Sequence, residues 1–173
     1  MNLSVVLSVA QVAGLTSTGG LPPVVLVGGG TIDLAHLSAI GISSWSIGDQ
    51  GIYDIVGTDA GDTFDIGQGS ATVSAGDGDD TIKISQKEVI TDVIDGGAGD
   101  DTLRLMSGDV DLSAATLTGI ERILVSSSSL SLSESQWQTY GDLVERASGA
   151  TTKFTLSLEQ AGIRTLAADS AYQ

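Results

Sequence analysis

The 173-residue chain has no cysteine, so disulfides and thiolate chemistry are closed to it, and it has a single histidine, His36. A serine or cysteine triad that uses histidine would rest on that one side chain, and no G-x-S-x-G motif accompanies it; His36 is expected to be a surface or capping residue. Basic side chains are scarce: seven Lys and Arg stand against 22 Asp and Glu, a formal net charge of −15. None precedes Lys83, and no ionisable side chain precedes Asp33. Phosphate binding needs a basic surface, which argues against nucleic acid and for cationic partners, chiefly metal ions. Aromatics make up only 4% of the chain against 41% hydrophobic residues, so the core must be built from Val, Ile, Leu and Ala in thin layers. No apolar run approaches the roughly 18 residues of a membrane-spanning helix. Segment 1–32 is apolar in patches but lacks the basic start of a signal peptide and is interrupted by Gly14, Gly19, Gly20, Pro22 and Pro23, so it reads as strands.

What the chain has instead is glycine and aspartate in phase. Three stretches place an aspartate behind small residues and an apolar residue two positions later: Gly57-Thr58-Asp59-Ala60-Gly61-Asp62-Thr63-Phe64-Asp65, Ala75-Gly76-Asp77-Gly78-Asp79-Asp80-Thr81-Ile82-Lys83 and Gly96-Gly97-Ala98-Gly99-Asp100-Asp101-Thr102-Leu103-Arg104. Glycine accepts positive φ without a Cβ clash, so such runs curl tightly and turn carbonyl oxygens inward. An added aspartate completes a set of hard oxygen donors of the kind Ca²⁺ takes. The tail then alternates polar and apolar, the period of a half-buried strand.

Counting nine residues at a time, 57–65, 66–74 and 75–83 follow without a gap, Ile84-Ser85-Gln86 intervene, and 87–95, 96–104 and 105–113 resume. The sixth slot of these units holds Asp62, Ala71, Asp80, Asp92, Asp101 and Val110 in turn.

The third stretch fits G-G-x-G-x-D-x-U-x at every fixed position, and the array resembles the repeats-in-toxin (RTX) family of calcium-binding bacterial proteins. The resemblance implies an all-β fold: a right-handed parallel β-roll or β-solenoid of short strands, with two nonapeptides to a turn, so that Asp62, Asp80 and Asp101 form one column, equipped for metal, and Ala71, Asp92 and Val110 the other. It also implies Ca²⁺, with about two ions, one between loops 57–62 and 75–80 and one between loops 75–80 and 96–101. The implied ligands are the carboxylates of Asp62, Asp80 and Asp101 and the carbonyls of Gly57, Gly76, Gly78, Gly97 and Gly99. Asp59 and Asp77 are further candidates, although a solvated loop face is the competing reading for them as for Asp79 and Asp100. A metal-free β stack with Asx-turns is the alternative for the whole array.

Outside the repeats, Leu3–Ala10, Val24–Val27, Thr31–Leu34 and Ile52–Val56 read as strands and Leu34–Ile40 as a helical turn. Thr116–Val125 carries Gly119-Ile120-Glu121-Arg122-Ile123, similar to a G-I-E-x-I strand of RTX-like proteins. Ser126–Ser129 is a turn. Ser133-Glu134-Ser135-Gln136 offers a capping box for a short helix near residues 134–147, with Trp137, Tyr140, Val144 and Ala147 at helical spacing. Lys153–Leu158 and Ile163–Leu166 return to strands. The whole is expected as one elongated domain over 1–173: a strand-rich segment 1–56, calcium repeats 57–113 and a C-terminal part 114–173.

Repulsion among loop carboxylates should make folding of the repeats depend on calcium. Extracellular modules bind it at about 10⁻⁴–10⁻³ M, so the expected location is secreted, extracellular or cell-surface. The expectation is not an enzyme but a calcium-dependent structural protein that forms a surface layer, matrix fibre or adhesive filament. It would be a homo-oligomer or polymer through its ends or N-terminal strand, with no transmembrane segment and a cell-surface polysaccharide as a candidate partner. The alternative is a calcium-driven folding or secretion module of a larger type I-secreted enzyme or toxin, although the tail 166–173 is not a convincing export signal.

Overall fold

Short segments that alternate polar and apolar residues, bounded by Gly, Ser and Asp, are built to pair as half-buried strands. The computed structural model describes residues 5–16, 24–40, 45–67, 70–85, 91–106, 109–126 and 129–147 and the backbone of 155–159. The first part of the chain forms β1 (Val5–Ser8), α1 (Val9–Ala13), β2 (Val24–Val27), β3 (Gly30–Asp33), α2 (Leu34–Ala39) and β4 (Trp45–Ile47). The repeats follow as β5 (Ile52–Thr58), β6 (Thr63–Asp65), β7 (Ser70–Gly76), β8 (Thr81–Ile84), β9 (Val93–Asp95), β10 (Thr102–Leu105) and β11 (Asp109–Asp111). Then come β12 (Thr116–Thr118), β13 (Arg122–Val125), β14 (Ser129–Ser133), α3 (Glu134–Tyr140), a 3-10 turn (Gly141–Leu143), β15 (Val144–Arg146) and β16 (Thr155–Glu159).

The result is β-rich, and its strands pair in parallel within four sheets, ordered β1-β2-β4, β3-β5-β7-β9-β12, β6-β8-β10-β13-β15 and β11-β14-β16. From β5 to β10 the chain alternates between the second and third sheets, so β5, β6, β7 and β8 each pair with the strand two elements on. Thr63 lies opposite Thr81, two nonapeptides later, and Thr81 opposite Thr102, two nonapeptides plus the inserted Ile84-Ser85-Gln86. Register therefore stacks like on like. Phe64, Ile82, Leu103 and Ile123 form one apolar column, all 0% exposed. Ile32, Ile55, Val73, Ile94 and Leu117 form another, and both belong to one continuous core. Burying each such side chain contributes about 1.5–3 kcal/mol, so columns without a single tryptophan can hold the sheets.

Several expectations are corrected. The strand expected over Leu3–Ala10 ends at Ser8, because Ser8 and Gln11 form a capping box that starts α1. Trp45–Ile47 is a further strand. The helix expected near 134–147 does begin at the Ser133–Gln136 capping box but stops at Tyr140. Gly141 opens a 3-10 turn there, and Val144 instead pairs with Ile123 in β15. The strand expected across Thr116–Val125 breaks into β12 and β13 at Gly119, whose φ is +56°. Ser129, expected in a turn, starts β14. Val110 does not follow Asp92 in the second column: Thr116 pairs with Val93, so Ala115 takes that place, while Val110 pairs with Leu130. From β11 onward an additional strand is inserted before the chain returns to the second sheet, and the nonapeptide frame ends there. The expected strand Ile163–Leu166 lies outside the described residues.

Candidate metal centre

The third sheet fixes the aspartate column. Asp62, Asp80 and Asp101 each immediately precede a strand of that sheet, so the pairing of Thr63, Thr81 and Thr102 brings them one above another. Their carboxylates form a ladder with the backbone. The Asp62 amide donates to Asp80 Oδ1 at 2.6 Å and the Asp80 amide to Asp101 Oδ1 at 2.8 Å. The Asp101 amide donates to Glu121 Oε2 at 2.8 Å. Asp62 closes its own loop: its Oδ2 accepts from the Thr58 amide at 2.7 Å and from Thr58 Oγ1 at 2.9 Å.

Asp80 is 1% exposed and Asp101 0%, yet Oδ2 of each is buried with no hydrogen-bond partner among the described residues. Burial is the main cause that pushes both carboxyls above the ordinary carboxylate range. The charges of Asp101, Asp62 and Asp79 add to it at Asp80, and those of Glu121, Asp79 and Asp100 at Asp101, while the ladder hydrogen bonds oppose it. A buried carboxylate oxygen without a donor costs more than a hydrogen bond contributes. Here that cost occurs twice, in adjacent rungs.

The glycine-rich loops stack as closely as the strands. Asp77 and Ala98 form a parallel bridge, the Gly78 amide donates to the Ala98 carbonyl at 2.8 Å, and the Ala98 amide donates to the Gly76 carbonyl at 3.0 Å. Gly76, Gly78, Gly97 and Gly99 all have positive φ. At Gly97 (φ +94°) a Cβ would also overlap the Gly76 carbonyl oxygen, so position and conformation both require glycine. Gly57, in β5, has no room for a Cβ against the Ala75 carbonyl. Comparison of the chain with protein-family models, curated proteins and solved structures finds no match. The site therefore has to be judged on its own atoms.

Among the described residues no group of three or more His, Cys, Asp or Glu side chains comes together at one point. A cation here would rely on one or two carboxylates together with loop carbonyls. The donor set fits a hard divalent ion: all oxygen, partly anionic, with two buried oxygens otherwise unanswered. Asp59, Asp77, Asp79 and Asp100 are exposed. Asp79 Oδ1 accepts from the Asp100 amide at 3.0 Å, which ties those two loops together on the solvent side.

Glu121 is the residue that counting by nines misses. It precedes β13 as the aspartates precede β6, β8 and β10, and its carboxylate meets the Asp101 amide as Asp101 meets that of Asp80. The signal was present in Gly119-Ile120-Glu121-Arg122-Ile123, an acid one residue ahead of an apolar alternation, but out of phase with the nonapeptides. The N-terminal cavity of about 310 Å³ between α1, β3 and α2 includes Asp33 and His36 in its lining. There the Asp33 carboxylate caps α2 through the His36 amide (3.1 Å), and His36 Nε2 lies 3.2 Å from the Val12 carbonyl oxygen.

Proposed function

We propose that the chain is an RTX-type calcium-binding protein, a right-handed parallel β-roll whose fold is marginal without calcium and is completed on meeting extracellular calcium, and which assembles into a surface layer, matrix fibre or adhesive filament. The observation that carries this reading is the pair of buried, unanswered oxygens on Asp80 and Asp101, in loops whose backbones stack without room for a side chain. Asp62 and Asp80 with the carbonyls of their loops would hold one ion, and Asp80 and Asp101 with theirs a second. The ion would supply the positive charge that offsets carboxylate repulsion. The residues themselves hold the loops in register through the amide–carboxylate ladder.

Assembly draws support from the sheet margins. β1 is an edge strand with Val6 60% exposed, and strands at the ends of parallel sheets present unpaired backbone groups that template further pairing. No helix among the described residues is long and apolar enough to cross a membrane.

The test is far-UV circular dichroism during a calcium titration of the chelator-treated chain, with light scattering on the same samples. Strand signal and particle size should rise together. Strand content that is unchanged in excess chelator would sink the calcium reading. A calcium-loaded monomer at high concentration would sink assembly and favour a folding module of a larger exported protein.

A further inference from the structure

We propose that the cation column does not end with the glycine-rich repeats, and that Glu121 and the Gly119 carbonyl build a third divalent-cation site with Asp101. The inference rests on the calcium reading above and extends it to residues outside the motif. Three observations meet at one place. Asp101 is fully buried, its Oδ1 is used by the Asp80 amide, and its Oδ2 has no partner. That free oxygen borders the following turn: a Cβ built on Gly96 would lie 2.6 Å from Asp101 Oδ2 and would overlap the Gly119 carbonyl oxygen. The two oxygens thus converge on the same side of Gly96. Since Ca²⁺ binds oxygens at about 2.3–2.6 Å, one ion bridges donors up to about 5 Å apart.

Glu121 adds the second carboxylate. Its Oε2 lies 2.8 Å from the Asp101 amide, and the longer side chain reaches the ladder position that aspartate fills in the preceding rungs. Its own amide and that of Arg122 donate to the Asp101 carbonyl at 3.1 and 3.0 Å, so the turn carrying Gly119 and Glu121 is tied directly to the Asp101 rung. Gly119, at φ +56°, makes the turn that places its carbonyl beside Gly96. Without a cation, the site sets an unanswered carboxylate oxygen beside a carbonyl oxygen and near a second carboxylate. With one, all three become donors.

Equilibrium dialysis of the full chain against calcium, with bound ion counted by atomic absorption, separates the possibilities. Three ions per chain are expected for the wild type. Glu121→Gln keeps an acceptor for the Asp101 amide and should bind two, and Asp101→Asn, which serves two sites, should bind one. Two ions in the wild type with no change in Glu121→Gln would overturn the third site and leave the two-site reading standing. No bound calcium in the wild type would remove both.

Terbium gives a second readout that does not depend on the count. Tyr140 donates its hydroxyl to the Leu117 carbonyl at 2.6 Å, two residues before Gly119, close enough to sensitise an ion held there. Ultraviolet-excited terbium emission should fall severalfold in Glu121→Gln, with far-UV circular dichroism unchanged. Equal emission in a folded variant would count against the site.

Discussion

Replacing Asp80 with asparagine should change stability in opposite directions with and without calcium. In chelator, the wild-type carboxylate sits 1% exposed, with Oδ2 unpartnered and Asp62, Asp79 and Asp101 charged nearby. A buried polar group left unsatisfied costs about 1–3 kcal/mol, more when charged. Asparagine keeps an oxygen for the Asp62 amide and replaces the unpartnered, charge-bearing oxygen with a neutral N–H donor. The variant should therefore gain about 1–3 kcal/mol in chelator, and at about 2–4 °C per kcal/mol for a chain of this size its Tm should rise by several degrees. In calcium the order reverses. A site occupied at 100 times its Kd contributes about 2.7 kcal/mol, and the Asp80 loop takes part in both interloop sites, so the variant should lose most of the calcium-induced rise in Tm. Differential scanning calorimetry in chelator and in millimolar calcium measures both arms. If Asp80→Asn lowers Tm equally in both, Asp80 is a hydrogen-bonding rung and nothing more, and the metal reasoning is wrong.

Two further outcomes follow. Because Asp80 and Asp101 have raised carboxyl pKa values in the fold, each contributes stability that is fully present below the ordinary carboxylate value of 3.8 and is lost as pH rises through the raised value. Urea midpoints of the chelated chain should thus fall as pH rises above the ordinary carboxylate value of 3.8; a midpoint that rises instead would contradict the burial seen at these two groups. Leu103→Ala, at a fully buried point of the third-sheet column, should cost about 2–5 kcal/mol in urea unfolding with calcium present, and a cost under 1 kcal/mol would mean that the column does not bear on stability.

Where the amino-acid pattern was legible, a single local rule governed each position. The nine-residue frame, together with the two-unit turn that the family resemblance implies, anticipates the pairing of Thr63 with Thr81 and of Thr81 with Thr102. The Ser133–Gln136 box marked α3 because its hydrogen bonds lie within four residues. The same box at Ser8–Gln11 is masked by the valines on either side of it, which β-propensity alone favours as strand. Val110 was misplaced for another reason: the alternation of Asp109–Leu112 cannot say which sheet a strand joins, and that choice was made by the longer return to Thr116. Glu121 is hidden because the column is set by position before a strand, whereas the nonapeptide pattern is set by glycine spacing.

The degenerate column shows what the aspartates do before any ion is considered. Asp92 is 2% exposed, and its Oδ1 accepts from the Ala71 amide at 2.8 Å, the same contact that Asp80 and Asp101 make one column over. Asp92 also has an interaction beyond Ala71. An aspartate in this slot is therefore first a register device, which answers the backbone amide of the previous turn whether or not metal is present. Cation binding depends on the second oxygen and on what surrounds it. Upstream of Asp92 lie Lys87-Glu88-Val89-Ile90-Thr91, without a glycine, whereas Asp80 and Asp101 follow Gly76, Gly78, Gly96, Gly97 and Gly99. Gly76, Gly78, Gly97 and Gly99 take positive φ in the loops that carry Asp80 and Asp101. On the calcium reading proposed above, glycine spacing, more than the aspartate itself, would distinguish a metal rung from a structural one, and Glu121 tests how few glycines suffice, because Gly119 is the sole glycine in its turn.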